Sequence, residues 1–221
     1  MARLAASPDV RPRPVVREPL ARRVAKMVLR AYAHRWHHLS LVGMENVPPH
    51  GPALVMSNHS SLLDVLALMA ADPFPDTVFV VKASMLDVPI VRNLLLLWHA
   101  IPVERHGRDA SGIRALLAAL RAGRVAALTP EGTRSRTGRL GRINPVLARI
   151  AVRAQVPIIP VGIAGSFAAL PPGAYVPRPV PIHLRVGPLL YLPPDTSAEA
   201  AADAIQSAIA RLLPAEQQPA G

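Results

Sequence analysis

Short runs rich in β-branched and aliphatic residues, at 39–44, 53–57, 77–82, 100–104, 125–129, 158–163 and 182–186, alternate along this chain with stretches of helical periodicity. That alternation constrains the fold more than any other feature. The helical patterns fall at 61–71, 89–98, 110–122, 145–154 and 197–213. Runs this short and this apolar suit strands buried on both faces, and the helices between them supply the crossovers that such strands need. The pattern predicts an α/β fold: a single domain with a central, mixed β-sheet covered by helices. Its expected limits are 39–213, with a disordered arm at 1–18, a basic amphipathic helix at 19–38 and a disordered tail at 214–221. No internal repeat and no inter-domain linker is visible.

The chain has 221 residues, 51% of them hydrophobic, enough for a large core. The absence of Cys excludes disulfides, thiolate catalysis and Cys-ligated zinc. The formal charge of +11 points to an anionic partner, and its distribution says more than its size. Residues 1–38 carry nine basic side chains against two acidic ones, and residues 105–153 carry eleven against two. The intervening segment is net negative. With 4% aromatic residues and no nucleic-acid motif, a nucleic-acid partner is not expected.

No signal peptide is expected, since 1–18 holds three prolines and no apolar run. The uncharged stretch 154–177 is interrupted by Pro157, Pro160, Pro171 and Pro172, which disqualify it as a spanning helix. In the 19–38 pattern Arg22, Arg23, Lys26, Arg30, His34 and His37 share one side. Leu20, Val24, Met27, Val28, Ala31, Tyr32 and Trp36 cover the other. Such a helix suits a membrane interface. Alternatively its apolar face packs on the domain with the charges in solvent, and both can hold.

Asn58-His59-Ser60-Ser61-Leu62-Leu63-Asp64 follows an apolar strand and opens a helix, the kind of junction at which α/β proteins build sites. Ser60 or Ser61 is the expected N-cap, with Asp64 in the first turn. There Asp64 can accept a hydrogen bond from one imidazole nitrogen of His59 and make the other more basic, a pair suited to taking a proton from an alcohol. Either residue alone is ordinary: an Asp in a first turn is a common capping charge, and a His ahead of a helix is usually polar surface. No HExxH or similar cluster is present, so no metal site is expected.

A second strand, 101–105, ends on Arg105. A third, 125–128, runs into Thr129-Pro130-Glu131-Gly132-Thr133-Arg134-Ser135, where Pro130 and Gly132 predict a tight turn. Arginine holds phosphate through paired hydrogen bonds, and Thr and backbone N–H groups add neutral donors. Glu131 fits phosphate contact less well; it can position an Arg or accept from a substrate hydroxyl. Arg136, Arg139 and Arg142 add positive charge around the turn.

Together these segments resemble the glycerolipid acyltransferase family, the 1-acylglycerol-3-phosphate acyltransferases and their relatives. His59-x4-Asp64, the 101–105 block, the Pro130–Ser135 turn and the apolar segment Val156-Pro157-Ile158-Ile159-Pro160-Val161 stand in the family's order across roughly 40–165. The resemblance implies transfer of a fatty acyl group from acyl-CoA or acyl carrier protein to a hydroxyl of a lysophosphatidic acid-type acceptor, in phospholipid biosynthesis. His59 would be the general base and Asp64 its orienting partner, while Arg105, Glu131, Gly132, Thr133 and Arg134 would bind the acceptor phosphate. Backbone N–H groups at the helix start are the candidate oxyanion donors. Direct attack needs no acyl-enzyme, which agrees with the missing Cys, and no cofactor. Where family members often continue with Phe-Lys-x-Gly, this chain has Ile143-Asn144-Pro145-Val146, which leaves another lysolipid or polar-lipid acceptor open. The expected location is the cytoplasmic face of a membrane with anionic lipids, peripherally bound.

Overall fold

The central strands are apolar along their whole length because helices cover both of their faces. The computed structural model describes residues 17–49, 52–104 and 109–219. In chain order the elements are α1 Leu20–His37, β1 Ser40–Val42, β2 Ala53–Ser57, α2 Leu63–Ala71, β3 Val78–Lys82, α3 Pro89–Leu97 and β4 Ile101–Val103. They continue with α4 Ala110–Arg121, β5 Val125–Leu128, α5 Pro145–Ala154, β6 Ile158–Ala164, α6 Ser166–Ala169, β7 His183–Val186 and α7 Ala198–Ala210. The sheet order is β1-β7-β6-β2-β5-β3-β4. It is mixed: β6 and β7 pair antiparallel, and the other neighbours pair parallel.

Side chains alternate across the sheet into two cores. Ala53, Phe79, Ala127, Ile159 and Ile163 pack toward α2 and α3. Leu54, Met56, Val78, Ala126 and Ile158 pack toward α4, α5 and α7. The parallel strands β2, β3, β4, β5 and β6 all end on one side, so the loops that leave them share one edge of the domain. There β3 leaves β5: the two pair only at Val78↔Ala126 and Phe79↔Ala127, while Val80, Val81 and Lys82 pair with β4. The splay opens the sheet edge beside the end of β5.

The helix expected at 19–38 forms, but it meets the domain through Arg22 and Lys26 together with Ala25, Leu29 and Ala33, and most of its large apolar side chains face away. Arg22 is fully buried and Lys26 nearly so, whereas Leu20, Met27 and Val28 are 73, 64 and 59% exposed. The cause lies at the end of α2. Arg22 Nη2 donates to Asp72 Oδ2 at 2.9 Å and stacks 5.2 Å over the Trp98 ring. Lys26 Nζ donates to the Phe74 carbonyl at 2.8 Å and pairs with Glu18 at 2.7 Å. Arg30 Nε donates to the Ala70 carbonyl at 2.7 Å. Asp72 also accepts from the Phe74 N–H, Thr77 and Trp98. Of the basic side only Arg22, Lys26 and His37 are buried, while Arg23, Arg30 and His34 stay exposed; burial of Arg22 and Lys26 is tolerated because each meets a fixed acceptor or opposite charge.

Of the arm expected at 1–18, only Arg17 and Glu18 are described. The tail expected at 214–221 is not loose where it is described: Ala215–Gln217 forms a 3-10 turn, and the Leu140 N–H donates to the Gln217 carbonyl at 2.8 Å. Among the described residues no helix is long and apolar enough to cross a membrane.

Candidate active site

Strand β2 delivers Asn58 and His59 to the sheet edge. The Asn58 amide completes the ladder with β6 beyond the last strand pair, donating to the Ile163 carbonyl at 2.9 Å and accepting from its N–H at 2.7 Å. His59 follows, its Nδ1 3.0 Å from Asp64 Oδ2. That same oxygen accepts from the Ser60 and Ser61 N–H groups, each at 2.7 Å. Asp64 is thus wholly buried and caps the turn from within, while Ser61 Oγ accepts the Leu63 N–H at 3.2 Å, the capping contact expected of Ser60 or Ser61; α2 begins at Leu63. A carboxylate has no proton to give, so Nδ1 of His59 carries the hydrogen and Nε2 is the ring's basic nitrogen. The His59 side chain is 15% exposed.

The turn after β5 grips the His59 peptide from both sides. Glu131 Oε1 accepts the His59 N–H at 2.6 Å, and the His59 carbonyl accepts the Ser135 N–H at 2.7 Å. Glu131 Oε2 accepts the Gly141 N–H at 2.8 Å. Gly132, at φ +75°, makes the tight turn that its position after Pro130 predicts. Burial pushes the Glu131 carboxyl up to about 7, and its two amide donors oppose that shift.

These bonds narrow the expected oxyanion donors at the helix start to the Leu62 N–H, which has no acceptor among the described residues. The N–H groups of His59, Ser60 and Ser61 are all spent on Glu131 and Asp64. Neither the Thr133 nor the Arg134 N–H has an acceptor among the described residues.

A cavity of about 400 Å³ opens along the splay. His59, Gly132, Thr133 and Arg134 line it at the polar end, and Leu66, Met69, Phe79 and Leu94 are among its apolar walls. Arg134 is exposed and has no acidic partner among the described residues. Glu131 does not line this cavity. Arg105 lies outside the described residues. Among the described residues no group of three His, Asp or Glu is arranged to hold a metal. Sequence reasoning missed the Gly141 contact and the Asp72 cluster; no local motif marks either.

The sheet, its crossover helices and a His–Asp pair at the strand ends define an α/β protein with an enzyme-like site. A family model described as Acyltransferase matches residues 38–164. The 1-acyl-sn-glycerol-3-phosphate acyltransferase of Limnanthes douglasii is 32% identical over 180 residues, covering 76% of this chain and 62% of that protein. A chloroplastic 1-acyl-sn-glycerol-3-phosphate acyltransferase of Arabidopsis thaliana is 25% identical over 154 residues, 68% of this chain and 43% of that one. The crystal structure of the 1-acyl-sn-glycerophosphate acyltransferase PlsC from Thermotoga maritima shares the fold, with a TM-score of 0.73 at 23% identity over 86% of this chain and 79% of that one. The chain belongs to the acyltransferase family. It spans less than two thirds of the length of these plant relatives.

Proposed function

We propose that this protein transfers a fatty acyl group from an acyl thioester, acyl-CoA or acyl carrier protein, to the free hydroxyl of a lysophosphatidic acid-type acceptor. The observation that carries this reading is the His59–Asp64 pair at 3.0 Å, opening onto a largely apolar cavity that has Arg134 at its polar end. The names of the relatives point to the same acceptor class.

His59 Nε2 takes the acceptor's hydroxyl proton as the oxygen attacks the thioester carbonyl. Asp64 holds the ring and balances the imidazolium. The thioester oxygen becomes an oxyanion, for which the Leu62, Thr133 and Arg134 N–H groups beside the cavity are available donors. Collapse breaks the C–S bond; the thiolate takes the proton from His59, leaving an ester, a free thiol and the starting base. The apolar cavity holds an acyl chain, and Arg134 binds phosphate. No cofactor enters this reading.

The exposed apolar stripe of α1, with Arg23 and Arg35 exposed beside it, supports peripheral binding to an anionic membrane, where such an acceptor resides. Acyl-CoA presented with a panel of lysolipids, with products read by mass spectrometry, tests the acceptor. His59→Ala is expected to abolish transfer with thermal stability near wild type. Turnover retained in that variant removes His59 from the mechanism.

A further inference from the structure

We infer that Glu131 is a positioning residue that fixes the backbone of His59, and that it does not bind the acceptor. Both of its oxygens are already engaged, with the His59 N–H at 2.6 Å and the Gly141 N–H at 2.8 Å. It is absent from the wall of the His59 cavity, which Gly132, Thr133 and Arg134 line, and it borders instead an adjoining cavity of about 370 Å³ that shares Gly132 and Thr133. With the Ser135 N–H on the His59 carbonyl at 2.7 Å, the turn holds both polar groups of the histidine's backbone. One turn thus presents Arg134 to the cavity with one set of residues and locks the histidine with another.

The geometry explains why a glutamate stands here. Two N–H donors converge on the side chain from different segments, so it needs an acceptor at each terminal atom, which a carboxylate has and an amide lacks. A glutamine in either orientation sets its NH2 against one of the two N–H groups. Gly141 belongs to the same arrangement, because a Cβ there would sit 2.8 Å from Glu131 Oε2. The carboxylate approaches the backbone at 141 only because no side chain intervenes.

This inference rests on His59 being the base, so the test carries His59→Ala as a control alongside Glu131→Gln and Gly141→Ala. All are assayed as the full chain with 1-oleoyl lysophosphatidic acid and palmitoyl-CoA. A small misplacement of a catalytic group costs roughly 10²-fold in rate. Glu131→Gln is therefore expected to lower kcat by 10-fold or more, with both KM values within about twofold of wild type. Gly141→Ala, which touches no residue of the His59 cavity and displaces only the end of the Glu131 side chain, is expected to lower kcat in the same pattern; it carries the test if Glu131→Gln does not fold. In Glu131→Gln the His59 amide proton is also expected to lose the downfield NMR shift given by a 2.6 Å bond to a carboxylate. A rise in the acceptor KM with kcat retained would make Glu131 a substrate ligand and overturn the inference. So would wild-type kcat in both variants. An active His59→Ala removes the base reading and this inference with it. An inactive His59→Ala beside fully active Glu131 and Gly141 variants removes only the inference.

Discussion

Replacing Asp64 by Asn and by Ala separates the two jobs that one buried oxygen performs. Oδ2 accepts from His59 Nδ1, Ser60 N and Ser61 N, while Oδ1 is buried and has no partner. An Asn oxygen can take the Oδ2 place and keep all three bonds. The Ser60 and Ser61 N–H groups oppose the flipped amide, because it would turn an NH2 toward two donors. The NH2 then occupies the unpartnered Oδ1 site, exchanging one unsatisfied atom for another, so stability changes little. What Asn loses is charge: a bond to a charged partner outweighs a neutral one by roughly 1–2 kcal/mol. If that difference applies to the imidazolium in the transition state, kcat falls roughly 5- to 30-fold. Ala removes the acceptor altogether. It strands two buried N–H groups at about 1–3 kcal/mol each. For a chain of this size that lowers Tm by roughly 4–24 °C, and kcat falls by about 10²–10⁴-fold as the base loses its orientation. Steady-state acyl transfer and thermal melts on both variants decide it. Wild-type turnover in Asp64→Asn would show that the carboxylate does not serve the base. A melting loss in Asn as large as in Ala would refute the bonding scheme.

Arg134→Ala is expected to raise the KM of a phosphate-bearing acceptor well above that of the donor; equal effects on the two would remove its phosphate role. Leu20, Val24 and Met27 are 46–73% exposed, so serines at all three should leave the fold intact. At about 1 kcal/mol or more per buried side chain, that triple variant should weaken binding to anionic vesicles by roughly 10²-fold in a co-sedimentation assay. Unchanged binding would clear α1 of membrane contact. Glu131, pushed up to about 7 by burial, holds a proton between about pH 4.5 and 7 in the folded protein that the unfolded chain has released. Stability from this group therefore falls as pH rises through that window, by a total on the order of 3 kcal/mol. Glu131→Gln should flatten the slope of Tm against pH there; a parallel slope would show that Glu131 titrates normally.

Most of the strand pattern was legible because parallel strands buried on both faces write their burial into consecutive residues: Ala53–Ser57 and Ile158–Ala164 are nearly continuous apolar runs. The His59–Asp64 pair was legible because both partners lie within one strand-to-helix junction, where spacing alone limits what can touch. Contacts made across the fold left no such mark. Ser135 reaches the His59 carbonyl, and Glu131 reaches both His59 and Gly141, only after β2 and β5 have paired side by side. The sequence could not say which atoms a glutamate in a turn would face, so substrate contact and scaffold contact looked alike.

The orientation of α1 shows the same limit from the other side. Its amphipathic pattern established two faces, but periodicity cannot say which face turns inward. That is decided by Asp72, 50 residues from Arg22, together with the backbone carbonyls of Ala70 and Phe74 at the end of α2. Once these acceptors bind Arg22 and Lys26, those two cations turn inward beside Ala25, Leu29 and Ala33, Arg30 reaches the Ala70 carbonyl from an exposed position, and Leu20, Val24, Met27 and Val28 face out. Water is a poor environment for that stripe, whereas the proposed bilayer interface would cover it with acyl chains and leave Arg23 and Arg35 for lipid phosphates. The residues of α2 that hold this helix continue into the wall of the His59 cavity through Leu66 and Met69. A membrane that seats α1 would therefore hold the protein through a helix packed on α2, whose Leu66 and Met69 line the cavity proposed to take the acyl chain.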